Sequence, residues 1–310
     1  MRIAALDLGS NSFLCLLAEA NHQGITRVHK DLVEIVRLGK DLNKTQVISR
    51  ESLQRAKVCL ENFKKEIDLF NPDKVLAYAT SAARDATNSE EFFKIGRDLG
   101  IHIEIISGDK EALTTYRGVF WGFSSESKMS EKNLLIDIGG GSTEVILGQE
   151  MNLLNAVSID IGAVRLTEKW LTGYPVKATE LQLLKSHVLE EVSNQLSWVK
   201  QSPPQRVLAV AGTPTTLAAA ELGGYVPEKV DGYVFTPEML ERWIEILSSS
   251  NLEEITTKFG IPRGRADILL SGIVILKTIL EVFKLPEVVV STRGVRYGVV
   301  ANFFLEQIRE

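Results

Sequence analysis

Residues 137–144 read "DIGGGSTE", directly after the apolar run Leu134-Leu135-Ile136. Three consecutive glycines give up all side-chain packing, so this segment needs a bare backbone. An apolar strand, an aspartate, a glycine/hydroxyl turn and a second apolar run (Val145-Ile146-Leu147) predict a β-hairpin. The pattern has a counterpart at a constant offset of 130 residues. "RIAALDLGSNSFLCLL" (2–17) aligns with "KNLLIDIGGGSTEVIL" (132–147), placing Asp7 on Asp137, Gly9 on Gly139, Ser12 on Ser142 and Leu17 on Leu147. A tight turn alone needs one or two glycines and does not need hydroxyls in register. The chain therefore reads as two related halves.

Successive backbone N–H groups in such a turn form a concave anion site, and Ser or Thr hydroxyls add donors. An aspartate at the strand end repels phosphate but can hold a divalent cation that binds it. Two such turns facing each other would clamp a phosphate chain and its metal. A third turn points the same way. "RVLAVAGTPTTLAAAEL" (206–222) is an apolar strand, the turn Gly212-Thr213-Pro214-Thr215-Thr216, then an alanine-rich helix start. The N–H groups of a helix N-terminus attract anions.

The composition, 45% hydrophobic and 24% charged over 310 residues, is that of a globular protein long enough for two cores. The net charge of −5 argues against a general nucleic-acid binder. Asp7 interrupts any secretory apolar region, and "SGIVILKTILEVF" (271–283) carries Lys277 and Glu281 and is too short to span a bilayer. The expectation is a cytoplasmic protein with no membrane partner. Cys15 and Cys59 read as reduced, packed thiols, and His22, His29, His102 and His187 have no metal-ligand spacing.

The rest alternates strands and helices. "ESLQRAKVCLENFKKEIDLF" (51–70) places Leu53, Ala56, Leu60, Phe63, Ile67 and Phe70 on one helical stripe. "KVLAYAT" (74–80) and "IHIEIIS" (101–107) read as strands. Thr179 and Gln182 suggest a capping box for a helix reaching about Lys200. Thr236-Pro237 starts another helix, and "SSESKMSEK" (124–132) reads as an interdomain link.

"DLGSNS", "TSAARDA", "ISGDKEA", "DIGGGSTE", "AGTPTTLA" and "GVRYG", in this order, resemble the motifs of the exopolyphosphatase / guanosine pentaphosphate phosphatase (Ppx/GppA) family along essentially the whole chain. The likeness is to the short form, without the C-terminal helical domain of longer members. The resemblance implies an α/β protein of two ribonuclease H-like domains, in the actin-like ATPase / heat-shock chaperone / sugar kinase superfamily, with the active site in the interdomain cleft. Its N-terminal domain would span 1–126 with a returning helix 298–310, and its C-terminal domain 127–297.

Site residues follow from the same resemblance. Glu111 of "ISGDKEA" would be the general base for an attacking water, although on its residues alone it reads as a first-turn helix glutamate. Arg84 of "TSAARDA" would clamp the transferring phosphoryl group. Mg²⁺ would sit on Asp137 with Glu144. Asp7 would face the same cleft, with turn capping an equal alternative. Ser10, Asn11, Ser12, Gly139, Gly140, Gly141 and Ser142 would take phosphate oxygens, helped by Gly212 and Thr213.

From Lys258 to Val300 seven Lys/Arg face three Asp/Glu, a segment of +4 within a chain of −5. Arg263, Arg265, Arg293 and Arg296 stand beside glycines in loop-like contexts and could line a polyanion track. Where the family usually has "GLREG", this chain has "GVRYG", so Tyr297 replaces a glutamate and weakens any role given to that motif. The implied activity is Mg²⁺-dependent release of terminal phosphate from inorganic polyphosphate. Guanosine pentaphosphate is the alternative substrate, a kinase or a non-hydrolytic sensor the alternative class, and a homodimer stays open.

Overall fold

The structure, a computed structural model, describes residues 1–121 and 130–307. The chain divides into two compact units, Met1–Glu126 with Arg293–Glu310, and Ser127–Thr292. The return to the first unit thus begins at Arg293, five residues before the position read from sequence. Most of the segment read as a link, residues 124–129 of it, lies outside the described residues.

The first unit is built on a five-stranded sheet. Its strands are β1 (Arg2–Leu8), β2 (Ser12–Asn21), β3 (Gly24–Ile35), β4 (Lys74–Ala79) and β5 (Ile103–Ile105), in the order β3-β2-β1-β4-β5. The first three are an antiparallel meander, and β4 and β5 add in parallel to β1. The second unit contains β6 (Lys132–Ile138), β7 (Thr143–Gln149), β8 (Asn152–Ile159), β9 (Arg206–Val210), β10 (Val234–Phe235) and β11 (Val288–Val290). Read from its far edge the order is β8-β7-β6-β9-β11-β10. That is the first unit's order with one antiparallel edge strand added. The duplication extends to register: Leu8 pairs with Phe13, and Ile138 pairs with Thr143.

The stripe read on 51–70 forms the helix Arg50–Phe70, started by Ser49, whose hydroxyl accepts from the Ser52 amide. Leu53, Ala56, Leu60, Phe63, Ile67 and Phe70 are all buried against the sheet. In the second unit the core centres on the helix Leu269–Val282, buried on nearly every side, which packs on the helices Ala178–Gln195 and Pro237–Ser249. Burial all round explains the uninterrupted apolar run. Among the described residues no helix is long and apolar enough to cross a membrane. Thr236 caps Pro237–Ser249 through the Met239 amide, as the sequence suggests.

Three local readings are corrected. The 101–107 run yields only Ile103–Ile105, because Ile101 leaves the ladder to take the carbonyl of Gly96. The helix expected to start at Thr179 starts at Ala178 after Lys177, with no side-chain cap; Thr179 already lies inside it. It ends at Gln195, and a 3₁₀ turn, Ser197–Gln201, carries Val199 into the core.

Candidate active site

In the first unit the carboxyl ends of the parallel strands are level, since Leu8 pairs with Ala79 and Ala79 with Ile105. Ligands of open α/β sheets bind at such an edge. Asp7 is at the end of β1, followed by the turn Ser10-Asn11-Ser12. Arg84 lies in the helix Ser81–Asp85 after β4, and Glu111 in the helix Gly108–Phe120 after β5. The structure therefore gathers these residues on one edge of one unit.

Glu111 is buried, and its Oε2 is 2.7 Å from Arg84 Nη1, which also donates to the Ile106 carbonyl at 2.8 Å. Ser107 caps the helix by accepting from the Lys110 amide at 3.2 Å, placing Glu111 in its first turn. There the amide ends favour a carboxylate.

The two turns are built alike. Gly9 N–H donates to the Ser12 carbonyl at 3.1 Å, and Gly139 N–H to the Ser142 carbonyl at 3.0 Å. In the second unit the Gly139 carbonyl accepts from Ala163 N–H at 2.9 Å, and the Gly140 carbonyl from Val164 and Arg165 N–H at 2.9 and 3.0 Å. Arg165 Nε donates to the Gly141 carbonyl at 2.7 Å. The glycine carbonyls thus satisfy the amides that open the helix Ala163–Trp170. In a trans peptide N–H opposes C=O, so the amides of Gly140, Gly141 and Ser142 point away from that helix, the direction an anion nest requires. The first unit repeats the device: the Ser10 carbonyl accepts from Gly39 N–H, and the Asn11 carbonyl from Val36 and Arg37 N–H.

Close approach accounts for Gly139, where a Cβ would stand 3.0 Å from the Ser142 carbonyl oxygen, and for Gly162. None of Gly139, Gly140 and Gly141 has a left-handed φ. At Gly162, which precedes the capped helix, a Cβ would run into the Gly140 carbonyl. Gly162 and Arg165 escaped the sequence reading. Their signal was the lone glycine of "DIGAVR" (160–165) just before an apolar-periodic segment.

The hydroxyl of Ser10 pairs with that of Ser81 at 2.8 Å and accepts from Ala82 N–H at 3.2 Å. It ties the turn to the Arg84 helix. Asn11 Oδ1 is buried and finds no hydrogen-bond partner among the described residues, while Nδ2 reaches Ser12 Oγ at 3.4 Å. A buried amide atom of this kind fits a polar ligand at the turn.

Asp137 and Glu144 are direct cross-strand partners, so both buried carboxylates leave the same face of the hairpin. Glu144 Oε1 accepts from Ser158 Oγ at 2.7 Å. Among the described residues no cluster of three or more His, Cys, Asp or Glu is formed. Mg²⁺ characteristically takes one or two carboxylates and completes its shell with water and phosphate, so this pair fits it. Asp7 belongs to the other unit.

The third turn is not a loop. The helix Gly212–Glu221 begins at Gly212 itself, level with Asp137 through its partner Val210. The Arg265 guanidinium fills the space a Cβ of Gly212 would need, and Gly272 leaves room for the Thr213 side chain. Burial lowers the Arg265 pKa to about 10, opposed by Tyr225, so it stays charged at neutral pH.

Of the four arginines expected in loops, Arg293 lies outside any helix or strand, and the other three are corrected. Arg263 and Arg265 lie in a helical turn, Arg263–Ala266, and Arg296 in the first turn of the helix Val295–Gln307. Arg296 is buried, and its Nε and Nη2 fork onto Asp31 at 2.6 and 2.8 Å. Tyr297 donates its hydroxyl to Asp31 at 3.1 Å; burial and Asp31 push its pKa up to about 12, keeping that proton in place. Arg293 stacks on the Tyr297 ring, 5.6 Å from its centroid. Arg296 is committed inside the first unit, and Arg263, which is exposed, and Arg265 belong to the second.

The sequence profile of the Ppx/GppA phosphatase family matches residues 16–307. A bifunctional 3-dehydroquinate synthase/phosphatase of Fusobacterium nucleatum is 32% identical over 317 aligned positions. These take in 96% of this chain, which spans 46% of that protein. The crystal structure of the Aquifex aeolicus Ppx/GppA family member superposes with a TM-score of 0.81 at 30% identity, covering 99% of this chain and 98% of that one. An exopolyphosphatase from Cytophaga hutchinsonii superposes with a TM-score of 0.89 at 25% identity, over 99% and 98% of the two chains.

Proposed function

The chain belongs to the Ppx/GppA phosphatase family, and on that premise we propose that it hydrolyses terminal phosphoanhydride bonds of inorganic polyphosphate with Mg²⁺. The observation that carries the reading is the pairing of buried Glu111 with half-buried Arg84 beside the Ser10-Asn11-Ser12 turn, at the carboxyl ends of the first unit's parallel strands. Glu111 takes a proton from the attacking water. Arg84, already oriented by Ile106, presents its remaining donors to the phosphoryl oxygens. The amides of each hairpin turn, taken by itself, are donors suited to phosphate oxygens. Asp137 and Glu144 would hold Mg²⁺, which would neutralise charge on phosphate oxygens. Water adds to the terminal phosphorus, the bridging P–O bond breaks, and orthophosphate leaves a chain one unit shorter.

One observation favours a nucleotide. Tyr225 presents an exposed ring near Arg265, which lies against the Gly212 turn, a setting suited to stacking a base. The deciding experiment is a phosphate-release panel with polyphosphates of several lengths, guanosine pentaphosphate and ATP, each with and without Mg²⁺. Release from polyphosphate that requires Mg²⁺ supports the proposal. Release from guanosine pentaphosphate alone selects the nucleotide, and phosphate transfer from ATP to an acceptor overturns hydrolysis.

A further inference from the structure

The helix that presents Glu111, Gly108–Phe120, packs against the returning helix Val295–Gln307 of the same unit. Their backbones meet without intervening side chains. A Cβ on Gly298 would strike the Thr114 carbonyl, and one on Gly118 would strike the Gly294 carbonyl and the Gly298 amide. Asn302, only 2% exposed, then spends both ends of its amide on the Glu111 helix. Nδ2 donates to Thr114 Oγ1 at 2.9 Å, and Oδ1 accepts from Arg117 Nη1 at 2.7 Å. The amide orientation is fixed because a guanidinium can only donate. Thr114 Oγ1 in turn donates to the Lys110 carbonyl at 2.6 Å, so the chain of bonds reaches the turn that contains Glu111.

Glycine contact sets how closely the helices approach but lets them slide and rotate. A side chain bonded to two residues nearly one turn apart stops both motions. Thr114 is three positions after Glu111, on the same side of the helix. The pair Glu111–Arg84 is short and directional, so a displacement of the helix changes it at once. A shift of about 1 Å in a reacting group is enough to lower a rate by orders of magnitude.

We propose that Asn302 is a positioning residue for Glu111, locking the register of the Gly108–Phe120 helix so that the carboxylate meets Arg84 and the attacking water. The proposal rests on the role given to Glu111 above. It is tested with the full chain, long-chain polyphosphate and Mg²⁺, by measuring kcat and KM for the parent, Asn302→Leu, Glu111→Gln and the double variant. Asn302→Leu lowers kcat by about tenfold with KM nearly constant, and adds no further loss when Glu111 is already Gln. Equal fractional losses in both backgrounds, or an unchanged kcat, overturn the positioning role. Should Asn302→Leu fail to fold, Thr114 carries the comparison: Thr114→Ser keeps the hydroxyl and the rate, whereas Thr114→Val loses rate only while Glu111 is present. Equal rates for those two variants overturn the proposal as well. An undiminished rate in Glu111→Gln alone overturns the role of Glu111 itself, a different result from additivity.

Discussion

Arg84 Nη1 stands 2.7 Å from Glu111 Oε2 and 2.8 Å from the Ile106 carbonyl oxygen, so one nitrogen is fixed by a side chain and a backbone group together. The Arg84 guanidinium is therefore oriented by the protein alone. Glutamine at position 111 keeps an oxygen for Arg84 but cannot take a proton from water. Turnover of Glu111→Gln is expected to fall by about 10²–10⁴ with KM little changed. Arg84→Met withdraws this cation from a buried carboxylate and is expected to cost about 3 kcal/mol in stability as well as activity. Steady-state kinetics with denaturant unfolding checks both. A fully active Glu111→Gln removes Glu111 from catalysis.

Asp137 and Glu144 leave one hairpin face together, and Ser158 supports Glu144 by a direct hydroxyl contact. Asp137→Asn replaces an anionic oxygen donor by a neutral one. The Mg²⁺ concentration for half-maximal phosphate release should rise about tenfold or more. Titration of activity against Mg²⁺ measures it. An unchanged midpoint with altered stability would make Asp137 a hairpin residue only.

The backbone at Ala211, φ 70° and ψ −163°, lies in a region that is nearly reserved for glycine. The residue is exposed, so its methyl contributes little packing. Relief of strain exceeds the extra freedom a glycine gives the unfolded chain, and Ala211→Gly should stabilise the protein by about 1 kcal/mol. Chemical denaturation tests this; a loss of stability would show that the strain is not there.

Glu241 links three helices through Lys185 at 3.0 Å and Lys277 at 2.9 Å. Burial works to raise its pKa, but hydrogen bonds and charge from Lys277 and Lys185 outweigh it, and the net shift is downward. A depressed carboxylate contributes stability above its unfolded pKa and loses it as pH falls through the folded one. Glu241→Gln should thus cost roughly 0.5–1 kcal/mol at pH 7, a range already discounted for partial exposure, and progressively less in acid. Unfolding curves for both proteins across pH 3–7, a range set by the ordinary glutamate pKa near 4.3, test the sign. A gap that widens in acid contradicts it.

The hairpins were legible because their information is local. Asp7, Gly9 and Ser12 repeat as Asp137, Gly139 and Ser142 within one turn each, and the ladders Leu8–Phe13 and Ile138–Thr143 keep that spacing. The stripe from Leu53 to Phe70 was legible for the same reason, a period of 3.6 against one sheet. Arg296 was misread because its partner, Asp31, is 265 residues away and carries no local mark. Thr179 and Gln182 matched a cap by spacing, yet the helix had already begun at Ala178. The setting of the three glycines was not legible. Phosphate contact was inferred from them, but the helix amides that consume their carbonyls come from residues 163–165, more than twenty positions on.

That arrangement makes Gly162 a sharper probe than the glycines of the turn. Its backbone, φ −138° and ψ 161°, is ordinary extended chain, so alanine there incurs no conformational strain. The obstacle is steric alone: a Cβ would overlap the Gly140 carbonyl, which is backbone and cannot rotate away. To accommodate it the turn must withdraw from the helix Ala163–Trp170, weakening the bonds from Ala163, Val164 and Arg165 and turning the nest amides out of line. Gly162→Ala should therefore lower phosphate-release activity by about tenfold or more, through loss of aligned donors. Gly173 serves as the control, since a Cβ there meets nothing within 4 Å, and Gly173→Ala should leave activity unchanged. Comparing the two variants by kcat/KM and by thermal unfolding isolates the turn from general effects of replacing glycine. Full activity in a folded Gly162→Ala would mean that the amides of Gly140, Gly141 and Ser142 do not bind the reacting phosphate.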